Sequence, residues 1–223
     1  MELAADRAQS TLLHSGPVIV RWLDTDRHHQ QRARCRAYLL FSLRATIARA
    51  GGYQVTISVE DIVVIGVDPG PRPGIVGLRY SPQRVRTAAP AIIQCTLNIA
   101  IACIQAIIPG DVKRIYLSYE PFVMGARSAK VSTPAASAAT ARFCGALQTL
   151  AYSDNRIVLR HHQASAVKPW GMEERLERAG LHMLVKGMTH ARDGAKQALY
   201  CATHDAGVPD PLSKRHKLAE VAP

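Results

Sequence analysis

The chain has 223 residues, 48% of them apolar, and sets 28 Lys/Arg against 17 Asp/Glu for a net charge of +11. This excludes a low-hydrophobicity disordered chain and suits one domain with an extension, or two very small domains. A basic excess of that size points to a polyanionic partner, nucleic acid by default, with a merely soluble basic domain as the plain alternative.

The first twenty residues include Glu2, Asp6 and Arg7 and lack an apolar core, so no secretory signal is expected. Val18–Leu23 reads as a short strand. Residues 31–50 read as a basic amphipathic helix. Cys35, Tyr38, Leu39, Leu43 and Ile47 form its apolar stripe, Arg32, Arg36 and Arg49 lie outside it, and Gly51-Gly52 ends it. Asp6, Asp24 and Asp26 speak against an organelle-targeting peptide. Residues 1–53 are therefore expected to form a basic extension, partly helical or disordered. Residues 54–207 are expected to form the compact domain, and 208–223 a tail.

In the compact domain the β-branched run from Ile62 to Val67 reads as a strand buried on both faces. Pro69-Gly70 stops it and leaves Asp68 at its end. Gly74–Tyr80 reads as its hairpin partner and Arg84–Ala88 as a third strand. Ala91–Ile108 reads as a long apolar helix. Gln94, Asn98 and Gln105 interrupt it, so it is too short and too polar to span a bilayer. Arg114–Glu120 is a strand, Pro134–Tyr152 an Ala-rich helix and Arg156–Arg160 a strand. Helices follow at Glu173–Lys186 and Met188–His204. A strand meander followed by alternating helices and strands implies an α/β fold with a mixed sheet. Five cysteines, Cys35, Cys95, Cys103, Cys144 and Cys201, form no C-x-x-C pair. Their odd number argues against a zinc ribbon or a disulfide scaffold and fits a cytoplasmic location.

Two acids share one design. Asp68 and Glu120 each end a strand and each precede a proline. If the strands are neighbours, both carboxylates open onto one sheet edge, where they repel unless a divalent cation lies between them. The plain alternatives are a turn aspartate for Asp68 and a surface ion pair for Glu120. His190 and Asp193, three apart, share a helix face and suit a divalent metal. They also fit an ordinary first-turn aspartate beside a solvent-facing histidine. His28-His29 and His161-His162 have no partner ligands at metal spacing.

Asp68-Pro69-Gly70, Glu120 on a later strand end, and His190-x-x-Asp193 on a last helix together resemble the RuvC-type Holliday junction resolvases of the RNase H-like nuclease superfamily. The resemblance covers roughly residues 61–205. It includes Gly74-Ile75-Val76-Gly77 on the second strand and the segment Gln163–Lys168, which ends in a lysine near the DNA. The helix from His190 to Tyr200 is similar to those of phage and actinobacterial resolvases. The resemblance implies an RNase H-like mixed β-sheet flanked by helices, behind the basic N-terminal extension. It also implies a homodimeric, structure-selective endodeoxyribonuclease acting on four-way junctions by two-metal-ion hydrolysis, with Mg2+ as cofactor and Mn2+ as a substitute. Asp68 would bridge the two ions, Glu120 and Asp193 would each complete a site, and His190 would ligate or orient beside one of them. Lys168 would hold a phosphate.

The stretch from Pro121 to Thr133 carries Phe122, Met124, Arg127 and Lys130 directly after Glu120. Aromatics beside basic residues can stack on unpaired bases, so Phe122, Arg127 and Lys130 are candidate DNA contacts, with Phe122 as a junction wedge. A core phenylalanine is the alternative. Two other readings stay open. One is a junction-binding protein without catalysis, which would keep the charge but not need four metal candidates. The other is the catalytic domain of a RuvC-like transposase.

Overall fold

The computed structural model describes residues 61–121 and 133–214, together with the backbone of a strand at 18–21. Six strands form one sheet: β1 (Val18–Arg21), β2 (Ile62–Asp68), β3 (Gly74–Tyr80), β4 (Ala91–Gln94), β5 (Arg114–Tyr119) and β6 (Ile157–His161). Among the described residues five helices accompany them: α1 (Leu97–Ile107), α2 (Pro134–Ser153), α3 (Ala164–Trp170), α4 (Glu173–Arg178) and α5 (Thr189–His204).

The sheet order is β1-β4-β3-β2-β5-β6. β2, β3 and β4 run as an antiparallel meander, whereas β5 and β6 continue parallel to β2. β1 pairs with β4 in parallel, inside the segment expected as an extension. The fold is thus α/β with a mixed sheet flanked by helices.

Strand alternation divides the core in two. Ile62, Val64, Val76, Leu78 and Ile92 face one side, against α5 and the apolar residues Leu176, Leu181 and Val185. Val63, Ile65, Val67, Ile75, Ile93, Ile115 and Leu117 face the other, against α1 and α2. Covering both faces explains why β2 reads as an unbroken apolar run rather than an alternating one.

Two expected elements differ. Arg84–Ala88 is not a strand. It holds a turn and one isolated bridge between Tyr80 and Arg86. The third strand is instead β4, cut from the start of the expected helix at 91–108. Ile92 and Ile93 bury into opposite faces of the sheet, which only an extended backbone allows. An apolar run does not reveal such a break by its period. The helix expected over 173–186 stops at Arg178, because Gly180 takes φ 65 and the chain turns. The helix expected at 31–50 lies outside the described residues.

α5 sits unusually close to the sheet. A Cβ on Gly66 of β2 would collide with Ala198 N and Gly194 O, and one on Gly74 of β3 with His190 O and Ala191 N. A Cβ on Gly194 would come within 2.8 Å of the Gly74 carbonyl oxygen. Backbone meets backbone there, with Ala191, Ala195, Ala198 and Ala202 completing the buried stripe. No helix among the described residues is long and apolar enough to cross a membrane.

Candidate active site

Register brings the acids together. Val67 pairs with Tyr119 across the parallel β2–β5 ladder. Asp68 and Glu120 each come one residue later, so they emerge side by side at one edge. The close seat of α5 adds His190 and Asp193 from its first turns. Asp68, Glu120 and Asp193 line one pocket together with Lys168 of α3 and Lys196 and Gln197 of α5.

His190 shares a hydrogen bond with Asp68, Nδ1 to Oδ2, at 2.7 Å. Lys196 Nζ stands 3.3 Å from Asp193 Oδ1. Burial pushes the Glu120 carboxyl above its ordinary pKa, and the nearby charges of Asp68 and Asp193 push it the same way, while Lys168 opposes them. Its hydrogen bond to Asp68 raises the His190 imidazole above its usual value, against the effect of burial. The pocket therefore has a surplus of carboxylate held in a partly dry place, which a divalent cation would relieve.

α5 is aimed by groups outside the acid set. Its N-cap, Met188, offers no side-chain cap. Instead Gln94 at the end of β4 accepts hydrogen bonds from His190 N (3.1 Å) and Ala191 N (3.3 Å) through Oε1. Gln197 Nε2 donates to the His162 carbonyl (3.0 Å), and its Oε1 accepts from Ser118 Oγ on β5 (3.3 Å). These two glutamines fix the helix lengthwise on the sheet.

The four acid-and-histidine candidates and Lys168 are thus gathered in one place. Phe122, Arg127 and Lys130 lie outside the described residues. Sequence reasoning missed Lys196, Gln197 and Gln94. The first two were within reach, since three and four residues from Asp193 is the same helix face. Gln94 was not, because it was read as an interruption of a helix. His162 also gains partners that its sequence neighbours did not suggest. It shares a hydrogen bond with Ser118 Oγ (2.9 Å) and pairs with Asp205 (2.9 Å), and Cys201 lies beside them. Arg160 takes the other carboxylate oxygen of Asp205 at 3.0 Å, so this group forms an internally paired network. Cys95, Cys103, Cys144 and Cys201 are buried, and none of them is in a disulfide among the described residues.

No protein-family model matches the chain. No curated protein matches it. Among solved structures, the chain is similar to T. thermophilus RuvC in complex with a Holliday junction substrate. The match has a TM-score of 0.44 and 15% identity, and covers 65% of this chain and 96% of that one.

Proposed function

We propose that the protein is a structure-selective endodeoxyribonuclease that hydrolyses phosphodiester bonds at four-way DNA junctions with Mg2+. The observation that carries this reading is the convergence of Asp68, Glu120 and Asp193, from three separate elements, on one pocket that also holds Lys168 and Lys196. Three carboxylates are hard oxygen donors of the kind Mg2+ prefers, and they stand close enough to raise the Glu120 pKa. They would hold two ions, with His190 orienting Asp68 or ligating beside it. Divalent cations held there would supply a nucleophilic water and charge stabilisation for the departing 3′ oxygen.

The chain's own groups do the rest. Lys168 and Lys196 bring positive charge to the pocket, where a scissile phosphate would sit. Gln94 and Gln197 keep His190 and Asp193 in line with the strand ends. A homodimer would set two such sites on a junction that itself has two-fold symmetry.

The test is nicking of a synthetic four-way junction with and without Mg2+. Asp68→Asn and Glu120→Gln should each cut cleavage by more than the roughly 10–100-fold that losing a supporting group of a metal site costs. Junction binding should persist, because phosphate contacts supply most affinity. Cleavage by either variant at the rate of the parent protein would remove the acids from the mechanism.

A further inference from the structure

A second cavity lies at the other end of the sheet. It has a volume of about 260 Å³ and stands between the turn after β3, the end of α4, the C-terminal half of α5 and the segment 208–211. In the β2–β3 ladder Asp68 opposes Gly74 and Ile62 opposes Tyr80. Tyr80 lines this cavity, so it is separated from the acidic pocket by the length of β2, roughly 20 Å.

Its charge is basic. Arg84, Arg86 and Arg178 line it against a single acid, Glu177, and Leu199 and Val208 give it an apolar wall. Arg86 is anchored through Nη1 to the Ala179 carbonyl at 2.6 Å. Arg84 is the informative residue. Among the described residues it is the one non-glycine with positive φ, at 64°. It ends a tight turn in which Arg84 N donates to Ser81 O (2.9 Å) and Ser81 N donates to Val85 O (2.8 Å). Glycine is the default at such a position, because a Cβ strains the left-handed backbone. The chain holds an arginine there instead. The Nη1 of that arginine is enclosed and has no hydrogen-bond partner among the described residues. The rest of the side chain is partly exposed and lines the cavity, and backbone strain kept beside a cavity marks a place to look for a ligand.

We propose that this cavity binds a small phosphate ester. Its oxyanion accepts from Arg84, with Arg178 and Arg86 adding charge, and its organic body packs on Leu199 and Val208. Arginine matches a phosphate with paired donors. The apolar wall of Leu199 and Val208 beside the arginines favours a small ester with an organic body over a bare DNA backbone. This site is independent of the acidic pocket and of the nuclease reading.

The experiment uses the full chain and phenyl phosphate as probe, with sodium chloride at matched ionic strength as control, read by titration calorimetry and thermal melting. The parent protein should bind phenyl phosphate and melt several degrees higher at about a hundred times the dissociation constant. Arg84→Gly should lose at least tenfold in affinity, yet melt without ligand at the parent temperature or above, because glycine relaxes the turn. Arg178→Ala should weaken binding in the same direction. Lys168→Ala, in the acidic pocket, should bind phenyl phosphate like the parent. Absence of binding to the parent would overturn the proposal. So would undiminished binding to Arg84→Gly, or loss of binding in Lys168→Ala. A marked fall in the unliganded melting temperature of Arg84→Gly would make Arg84 a structural residue and overturn it too. Displacement of phenyl phosphate by a short DNA duplex would assign the cavity to nucleic acid and overturn the small-molecule reading.

Discussion

At the scale of single residues, the acidic pocket is a place where function and stability pull apart. Glu120 ionises less readily folded than unfolded, since burial and its neighbours raise its pKa. The folded chain therefore holds the proton to higher pH, and the ionised carboxylate costs stability above that point. In EDTA at neutral pH, Glu120→Gln should melt higher than the parent protein and, if the proposed nuclease activity holds, should not nick junction DNA. A lower melting temperature would contradict the burial argument. His190 has the opposite sense. Asp68 raises its pKa above the unfolded value of about 6.5. The pair then stabilises the fold fully below pH ~6.5, and the contribution is lost as pH rises through the folded value. The melting temperature of the metal-free parent minus that of His190→Gln should be largest in mild acid and shrink toward alkaline pH. A difference that stays flat from acid to alkaline pH would break the assignment. Both acids on strand ends and the His190/Asp193 pair were legible in the sequence, because proline after an acid and a three-residue helix spacing are local signals. Gln94 was not legible, because its role depends on β4 lying against the start of α5.

At the scale of elements, the seat of α5 decides whether the site exists. The backbone of α5 touches the backbone of β2 and β3 at Gly66 and Gly74, so neither position has room for a Cβ. Atoms of a helix backbone cannot step aside as a side chain can. Gly66→Ala should therefore destabilise by the ~1–3 kcal/mol typical of overpacking or more, a fall of roughly 2–12 °C in melting temperature. If the proposed nuclease activity holds, nicking should fall with it even at temperatures where the variant is folded, because lifting the helix carries His190 and Asp193 away from Asp68 and Glu120. Normal nicking by a folded Gly66→Ala protein would show that the close contact is not needed. The sequence carried most of these elements: β2, β3, β5, β6, α2 and α5 lie where their patterns place them. It misplaced the third strand, because Ile92-Ile93 sits in an apolar run whose helical and extended readings have the same composition. Only the pairing of Ile92 and Ile93 with Val76 and Ile75 on β3 settles it. The end of the helix at Arg178 was hidden for a similar reason, since the apolar residues after Gly180 return to the same core from a turn.

At the scale of the whole molecule, the charge of +11 sets how the protein meets its partner. If junction DNA is that partner, affinity should fall steeply with salt. Lys168→Ala should reduce the slope of log affinity against log salt by about one contact's worth, ~0.9 for duplex DNA. Binding assays across a salt series check this, and an unchanged slope would take Lys168 out of contact with phosphate. The three described basic residues of the second cavity stand far from that surface, so Arg84→Gly should leave the same slope intact.

The backbone contact between α5 and β2 also fixes how the protein opens. A helix held by flexible side chains can lift briefly while the sheet stays whole. A helix whose Gly194 and Ala198 backbone rests on Gly66 has no such partial route, because its release exposes the central strand at once. Amide protons of Ile65–Val67 and of Ala195–Leu199 should therefore exchange with solvent together, at the rate set by complete unfolding, as one cooperative unit.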